Sequence, residues 1–184
     1  KDKQKWTNCN MPPGRPIISN RQTELTAICT FLETNLSKIS LKLKYTLKNT
    51  EQLIDKMKNL KITKEAILFI GDFVALYTNM KPDKCINSVN LKLLLLNDDT
   101  INRPLVIKLL AIVLYRYDFT FDGQQFHQIN GIAVGVAFAT SLANIYLDKF
   151  DNDVNIKFSN ELKLYARFVD DMKGVFEGTI KRFQ

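Results

Sequence analysis

Apolar side chains recur along this chain at two spacings, and the switches between them divide it into elements. Leu25, Ile28, Leu32 and Leu36 fall at three- and four-residue intervals, which predicts a helix over 24–39. Thr50 reads as an N-cap ahead of Leu53, Ile54, Met57 and Leu60, which share one face of a short second helix. Residues 66–74 form a compact apolar run with β-branched and aromatic members, the pattern of a buried strand that Gly71-Asp72 interrupts near its end. Pro82 opens a helical stretch reaching Leu96 and closed by Asn97-Asp98-Asp99, and Pro104 suits the first turn of another that runs to Tyr115. Asp122-Gly123 between β-prone residues predicts a hairpin over 119–126. From Ala139, the positions Leu142, Ala143, Tyr146 and Phe150 space out as one apolar helix face. Residues 162–169 and 172–176 then flank Asp170-Asp171 as a second hairpin. Residues 1–20 are irregular, with a dense turn signal at 11–16. The order of elements predicts a mixed α/β chain without the βαβ alternation of a parallel sheet.

Composition narrows the class. With 46% hydrophobic residues, 12 Phe, 6 Tyr and 1 Trp in 184, the chain has enough apolar surface to close a core, which excludes general disorder. Seven Gly and five Pro exclude collagen-like and linker-like chains. Cys9, Cys29 and Cys85 are scattered, which argues against a disulfide framework or a zinc site and for a reducing compartment. No apolar run approaches 18 residues and residues 1–10 do not read as a signal peptide, so a soluble intracellular protein with no membrane partner is expected. The net charge of +7 suits a phosphate-binding surface, and equally the Lys-, Asn- and Ile-rich usage of AT-rich coding sequence. Within the Lys-rich segment 38–64, Lys38, Lys42, Lys44 and Lys48 meet no acid until Glu51, as a solvated face or a track for a nucleic-acid backbone.

Two apolar strands end in carboxylates: Asp72 after residues 66–70, and Asp170-Asp171 after Tyr165-Ala166-Arg167-Phe168-Val169. Taken singly, these are ordinary turn residues. Set on rigid strands and brought together, they suit hard divalent cations, and two such ions roughly 3.5–4 Å apart serve phosphoryl transfer. His127 has no nucleophile or base partner in a recognisable setting and reads as structural.

The order of motifs adds a resemblance. Gly71-Asp72-Phe73-Val74-Ala75-Leu76-Tyr77-Thr78-Asn79-Met80 resembles the first catalytic motif of reverse transcriptases. Gln128-Ile129-Asn130-Gly131-Ile132-Ala133-Val134-Gly135, with Ala143-Asn144 after it, resembles the second, and Tyr165 to Asp171 the third. Upstream, Pro13-Gly14-Arg15-Pro16-Ile17-Ile18-Ser19 resembles a fingers segment of the same enzymes. That segment and Leu76-Tyr77-Thr78-Asn79 together resemble Penelope-like retroelements, relatives of telomerase reverse transcriptase.

The resemblance implies a fingers–palm core: an antiparallel palm sheet backed by helices, with the thumb absent. A partial fingers segment and connecting helices would occupy 1–65 and the palm 66–184, with room for a fingers insertion at 81–118. It implies an RNA-directed DNA polymerase working on an RNA template, a DNA primer and deoxynucleoside triphosphates, and residing in the nucleus. Two Mg²⁺ ions, with Mn²⁺ able to substitute, would be held by Asp72, Asp170, Asp171 and the backbone carbonyl of Phe73. Tyr77 would exclude a 2′-hydroxyl, Arg15 would reach the triphosphate, and Gln128, Val134 and Gly135 would contact the nucleotide or template. Gly131, like Gly135, would let the backbone approach the nascent base pair.

Three places depart from the family pattern. Val134 stands where Met or Gln is usual, residues 136–139 lack the usual small polar residue and proline, and Lys173 replaces an apolar residue. None removes a metal ligand. The alternative is a non-catalytic or domesticated nucleic-acid-binding palm remnant that keeps the fold without turnover.

Overall fold

The computed structural model describes Ile17 and residues 23–183. Its central member is a 19-residue helix. In chain order the elements are α1 (Thr26–Ser40), α2 (Thr50–Lys58), β1 (Ile67–Asp72), α3 (Leu76–Asn79), α4 (Pro82–Leu96) and α5 (Arg103–Tyr115). The hairpin β2 (Asp118–Phe121) and β3 (Gln124–His127) follows, then α6 (Ala139–Lys157), β4 (Leu162–Phe168), β5 (Asp171–Phe176) and the short α7 (Ile180–Phe183). This is a mixed α/β fold with a small antiparallel sheet.

Local chemistry explains most boundaries. Pro82 sits in the first turn of α4, where a missing N–H costs nothing, and Asn97 ends that helix at φ 43°. Asn102 caps α5 by accepting from the Leu105 amide. The cap of α2 is Asn49 rather than the expected Thr50: its side chain accepts from the Gln52 amide, and Thr50 becomes the first helical residue. Both types cap well, so only the backbone path decides between neighbours. Asp122 (φ 49°) and Gly123 (φ 72°) both take the left-handed conformation that a two-residue hairpin turn requires.

Helices α1, α4, α5 and α6 pack into one core, which includes Leu32, Leu36, Val89, Val106, Leu110, Phe138 and Leu142. Each such side chain contributes about 1.5–3 kcal/mol by leaving water. Helix α6 runs through the middle and is buried on most sides, so its apolar stripe is not the single predicted face, and Phe150 remains 41% exposed. Its buried polar groups find partners on the neighbouring elements. Ser141 donates to Glu33 of α1 (3.1 Å), Asn144 donates to Ser40 of α1 (3.0 Å), and Asp148 accepts from Lys92 of α4 (2.6 Å).

The three-stranded sheet has the order β1-β5-β4, antiparallel throughout. Its face bearing Tyr165, Arg167 and Phe176 packs on α6, where the Phe176 and Phe158 rings meet edge to face at 5.9 Å. Strand β1 differs from expectation. It is an edge strand with alternating exposure, Leu68 and Ile70 being 70% and 80% exposed, and Gly71 and Asp72 are its last two residues rather than an interruption. Its apolar composition hid this, because an edge strand and a buried one read alike when both are rich in Ile and Phe.

Gly174, in the central strand, lies beneath the Phe69 ring. A Cβ there would also stand 2.5 Å from the Leu164 carbonyl oxygen, which is backbone and unable to move aside. Gly174→Ala is therefore expected to lower stability by about 1–3 kcal/mol, the usual cost of overpacking. Urea denaturation checks this, and an unchanged midpoint would refute it.

Candidate active site

Register, more than proximity in sequence, assembles the site. In the β1–β5 ladder Asp72 stands directly opposite Asp171, and the Phe73 amide donates to the Asp170 carbonyl at 3.2 Å. Directly paired residues point to the same face with Cβ atoms about 4.5–5.5 Å apart. Phe168 pairs with Asp171 from the other side, so Asp72, Asp171 and Phe168 form one row across the sheet end. Two carboxylates 98 and 99 positions downstream of Asp72 are thus brought beside it. That row is solvent-exposed, and Asp170 is half-buried.

The hairpin turn differs by one residue from the expected one. Its two central residues are Val169 and Asp170, while Asp171 already belongs to β5. Val169 carries φ 56° and is the only positive-φ residue of the pair, the φ pattern of a type II′ turn, where Gly is usual. For a β-branched residue this conformation is a true outlier and costs on the order of 1–3 kcal/mol. Such strain persists only where the surroundings over-determine it.

Those surroundings centre on Arg167, which is 0% exposed. Its Nε donates to both Asp151 oxygens at 3.0 Å and its Nη2 to Asp151 Oδ2 at 2.8 Å. Nη1 donates to Asn144 Oδ1 (2.9 Å) and to the Val169 carbonyl (2.7 Å), and Nη2 also reaches Thr46 Oγ1 and the Asn144 carbonyl, both at 3.2 Å. All five N–H groups are thereby satisfied. Tyr165 donates to Asp151 at 2.7 Å, and burial, with the bond to and charge of Asp151, pushes its hydroxyl well above its ordinary range, so it stays a donor.

Tyr77 follows Asp72 by five residues, across a left-handed Ala75 (φ 51°) and into the single turn of α3. It is half-buried against the core, and its carbonyl accepts from the Ile132 amide at 2.8 Å. Gly131 packs directly on this segment. At φ 75°, a Cβ on it would stand 2.6 Å from Thr78 Cα and 2.7 Å from the Tyr77 carbonyl oxygen. The close approach that needs glycine here is therefore to the Tyr77 backbone. The Gln128 side chain donates to the Asn130 carbonyl at 3.0 Å, and Val134 and Gly135 (φ 113°) form a turn just before α6. Arg15 lies outside the described residues. His127 pairs with Asp118 at 2.6 Å across the end of the β2–β3 hairpin, and Lys173 is exposed. In the lysine-rich stretch, Lys42 pairs with Asp98 and Lys58 with Asp55.

Asp72, Asp170, Asp171 and the adjoining backbone carbonyls form an all-oxygen donor set, which fits Mg²⁺ or Mn²⁺ in chemistry. Among the described residues, no group of three His, Cys, Asp or Glu side chains stands gathered to hold a metal. The fit therefore requires side-chain rotation, which the exposed positions of Asp72 and Asp171 permit. Also among the described residues, no helix is long and apolar enough to cross a membrane.

Sequence reasoning passed over Arg167, Asp151 and Thr46. The available signal was the stripe Asn144, Asp148, Asp151, which lies at i, i+4 and i+7 on an otherwise apolar helix and implies buried polar partners.

No known family's sequence model matches this chain, and no curated protein does. Solved structures do. Telomerase of Candida tropicalis in its apo form aligns with a TM-score of 0.62 at 11% identity, covering 86% of this chain and 32% of the telomerase. The same apo telomerase truncated from its C-terminal domain gives 0.59 at 13%, covering 89% and 36%. Candida albicans telomerase in complex with a TWJ fragment of telomeric RNA gives 0.59 at 10%, covering 86% and 31%. The chain thus spans about a third of the telomerase chains it matches, and it shares their fold over that part.

Gly131→Ala is expected to displace the Tyr77–Thr78 backbone and destabilise the protein by about 1–3 kcal/mol. Ala at Gly123, where the open turn holds no atom within 4 Å, also has a positive φ and serves as the control for backbone strain alone. Equal losses from the two substitutions in thermal or urea unfolding would refute the steric argument.

Proposed function

We propose that this chain is the fingers–palm part of an RNA-directed DNA polymerase, adding deoxynucleotides to a primer 3′-hydroxyl on an RNA template. The observation that carries the reading is the pairing of Asp72 with Asp171 beside Asp170 at one sheet end, in a fold shared with telomerase. The primer oxygen attacks the α-phosphorus, a new O–P bond forms, the bond to the β-phosphate oxygen breaks, and pyrophosphate leaves while the hydroxyl proton passes to water. Two divalent ions, when bound, supply positive charge to the attacking and leaving oxygens. Asp72, Asp170 and Asp171 would hold them, with the Phe73 carbonyl completing one shell. The rest of the protein's contribution is placement of the reactants and electrostatic preorganisation.

Tyr77 supports the sugar assignment by its position: its backbone is pinned by Gly131 and Ile132, so its ring is presented from a fixed base. Val134, whose side chain cannot hydrogen-bond, is left a packing role against base or sugar. Arg15 remains the candidate triphosphate ligand on sequence grounds, as does placement among Penelope-like retroelements and, with it, nuclear residence. RNA binding is supported by the likeness to telomerase solved with telomeric RNA.

One observation favours the second reading, a palm kept for nucleic-acid binding without turnover: the carboxylates stand ungathered. Primer extension on an RNA template separates the two. Product from the parent with Mg²⁺, and its loss with chelator or in Asp170→Asn, is expected. Retained binding of the RNA–DNA hybrid with no extension, also after joining the chain to its natural flanking sequence, would favour the binding-only reading.

Tyr77→Ala should relax discrimination against ribonucleotides by roughly ten- to a hundredfold, the scale on which shape alone excludes a hydroxyl. Competition between labelled ribo- and deoxynucleotides measures it, and unchanged selectivity would remove Tyr77 from the sugar site.

A further inference from the structure

We propose that Arg167 is a positioning residue for the carboxylate site, fixing the Val169–Asp170 turn against the body of the protein. This deepens the polymerase reading and rests on it for its chemical meaning. Three observations carry it. The guanidinium is fully buried and anchored on α6 through Asp151 and Asn144, so its own place is set by the central helix. Its Nη1 donates at 2.7 Å to the carbonyl of Val169, the one strained residue of the turn. The next carbonyl along, that of Asp170, accepts from Phe73 at 3.2 Å, which ties the turn to the end of β1 beside Asp72.

The guanidinium therefore links α6 to the turn, and the turn links both aspartates of the hairpin to the third. A lysine at this position keeps a positive charge for Asp151. It lacks the planar fork needed to reach Asp151, Asn144 and the Val169 carbonyl together. The same arginine also joins residues 45–47 to the sheet: its amide donates to the Tyr45 carbonyl, its carbonyl accepts from Leu47, and its Nη2 reaches Thr46 Oγ1. That lateral contact is structural and separable from the one at Val169.

The test compares the parent chain with Arg167→Lys, Thr46→Val and Asp170→Asn. Amide hydrogen exchange at Phe73 is read against exchange within β1 and β5, and Mn²⁺ affinity is read by electron paramagnetic resonance. Arg167→Lys is expected to speed exchange selectively at Phe73 and to weaken Mn²⁺ binding by about 10–100-fold, the usual effect of removing a group that orients metal ligands. Thr46→Val should lower the melting temperature and leave both readouts unchanged. A general loss of stability in Arg167→Lys, with Phe73 exchange no faster than the strand interiors and Mn²⁺ affinity unaltered, would overturn the proposal. If Arg167→Lys does not fold, Asp151→Asn, which loosens the guanidinium's anchor while keeping its shape, should move both readouts in the same direction, and no movement would equally overturn it. Should the parent bind Mn²⁺ no better than Asp170→Asn, the polymerase reading fails, while exchange at Phe73 still decides the role of Arg167.

Discussion

A guanidinium sealed from water must find an acceptor for every N–H, and in this protein that requirement organises the sheet and the helix behind it. Arg167 satisfies it with one carboxylate, one side-chain amide, one hydroxyl and two backbone carbonyls, drawn from α6, from the stretch between α1 and α2, and from the hairpin turn. Removing a charge from water is costly, and the ion pair with Asp151 repays that cost only because every remaining proton is also bonded. The result is specificity of arrangement: helix, sheet edge and turn cannot shift independently without stranding a buried donor.

Around that anchor the chain divides its labour. The helices α1, α4, α5 and α6 form the rigid mass, while the sheet is thin, with one face on α6 and much of the other open. The candidate carboxylates sit at the solvent-facing ends of β1 and β5 and in the turn beside them. The loop before α6 reaches back to Tyr77 through Gly131 and Ile132, so the segment after the first aspartate is held from a second direction.

Much of this was legible from residue order because punctuation and period agreed: Pro82, Pro104, Asp122-Gly123 and the spacing of Leu25, Ile28, Leu32 and Leu36 each point to one local structure. The three aspartates were legible as a set through the order of motifs; that Asp72 would face Asp171 depended on a register no local pattern encodes. The exposure of β1 was not legible, since Ile and Phe on an edge strand look like Ile and Phe in a core. Nor was the burial of Arg167. A lone arginine in a strand suggests a solvent-facing position, and apart from the Val169 carbonyl its side-chain partners lie 16 to 121 residues away in sequence. Short elements also escaped notice, because four residues of α3 cannot display a period.

The pairing of Asp72 with Asp171 carries a consequence for how this sequence tolerates change. Side chains alternate along a strand, so the site exists only for one parity of alignment between β1 and β5. A single inserted or deleted residue within either strand would send one carboxylate to the α6 side while leaving composition and strand length almost untouched. The irregularity that the hairpin does contain, between Leu162 and Leu164, lies at the end of β4 far from the turn. The extra residue of β4 is thus placed at the distal end of the sheet, and the frame that matters is counted from the turn outward.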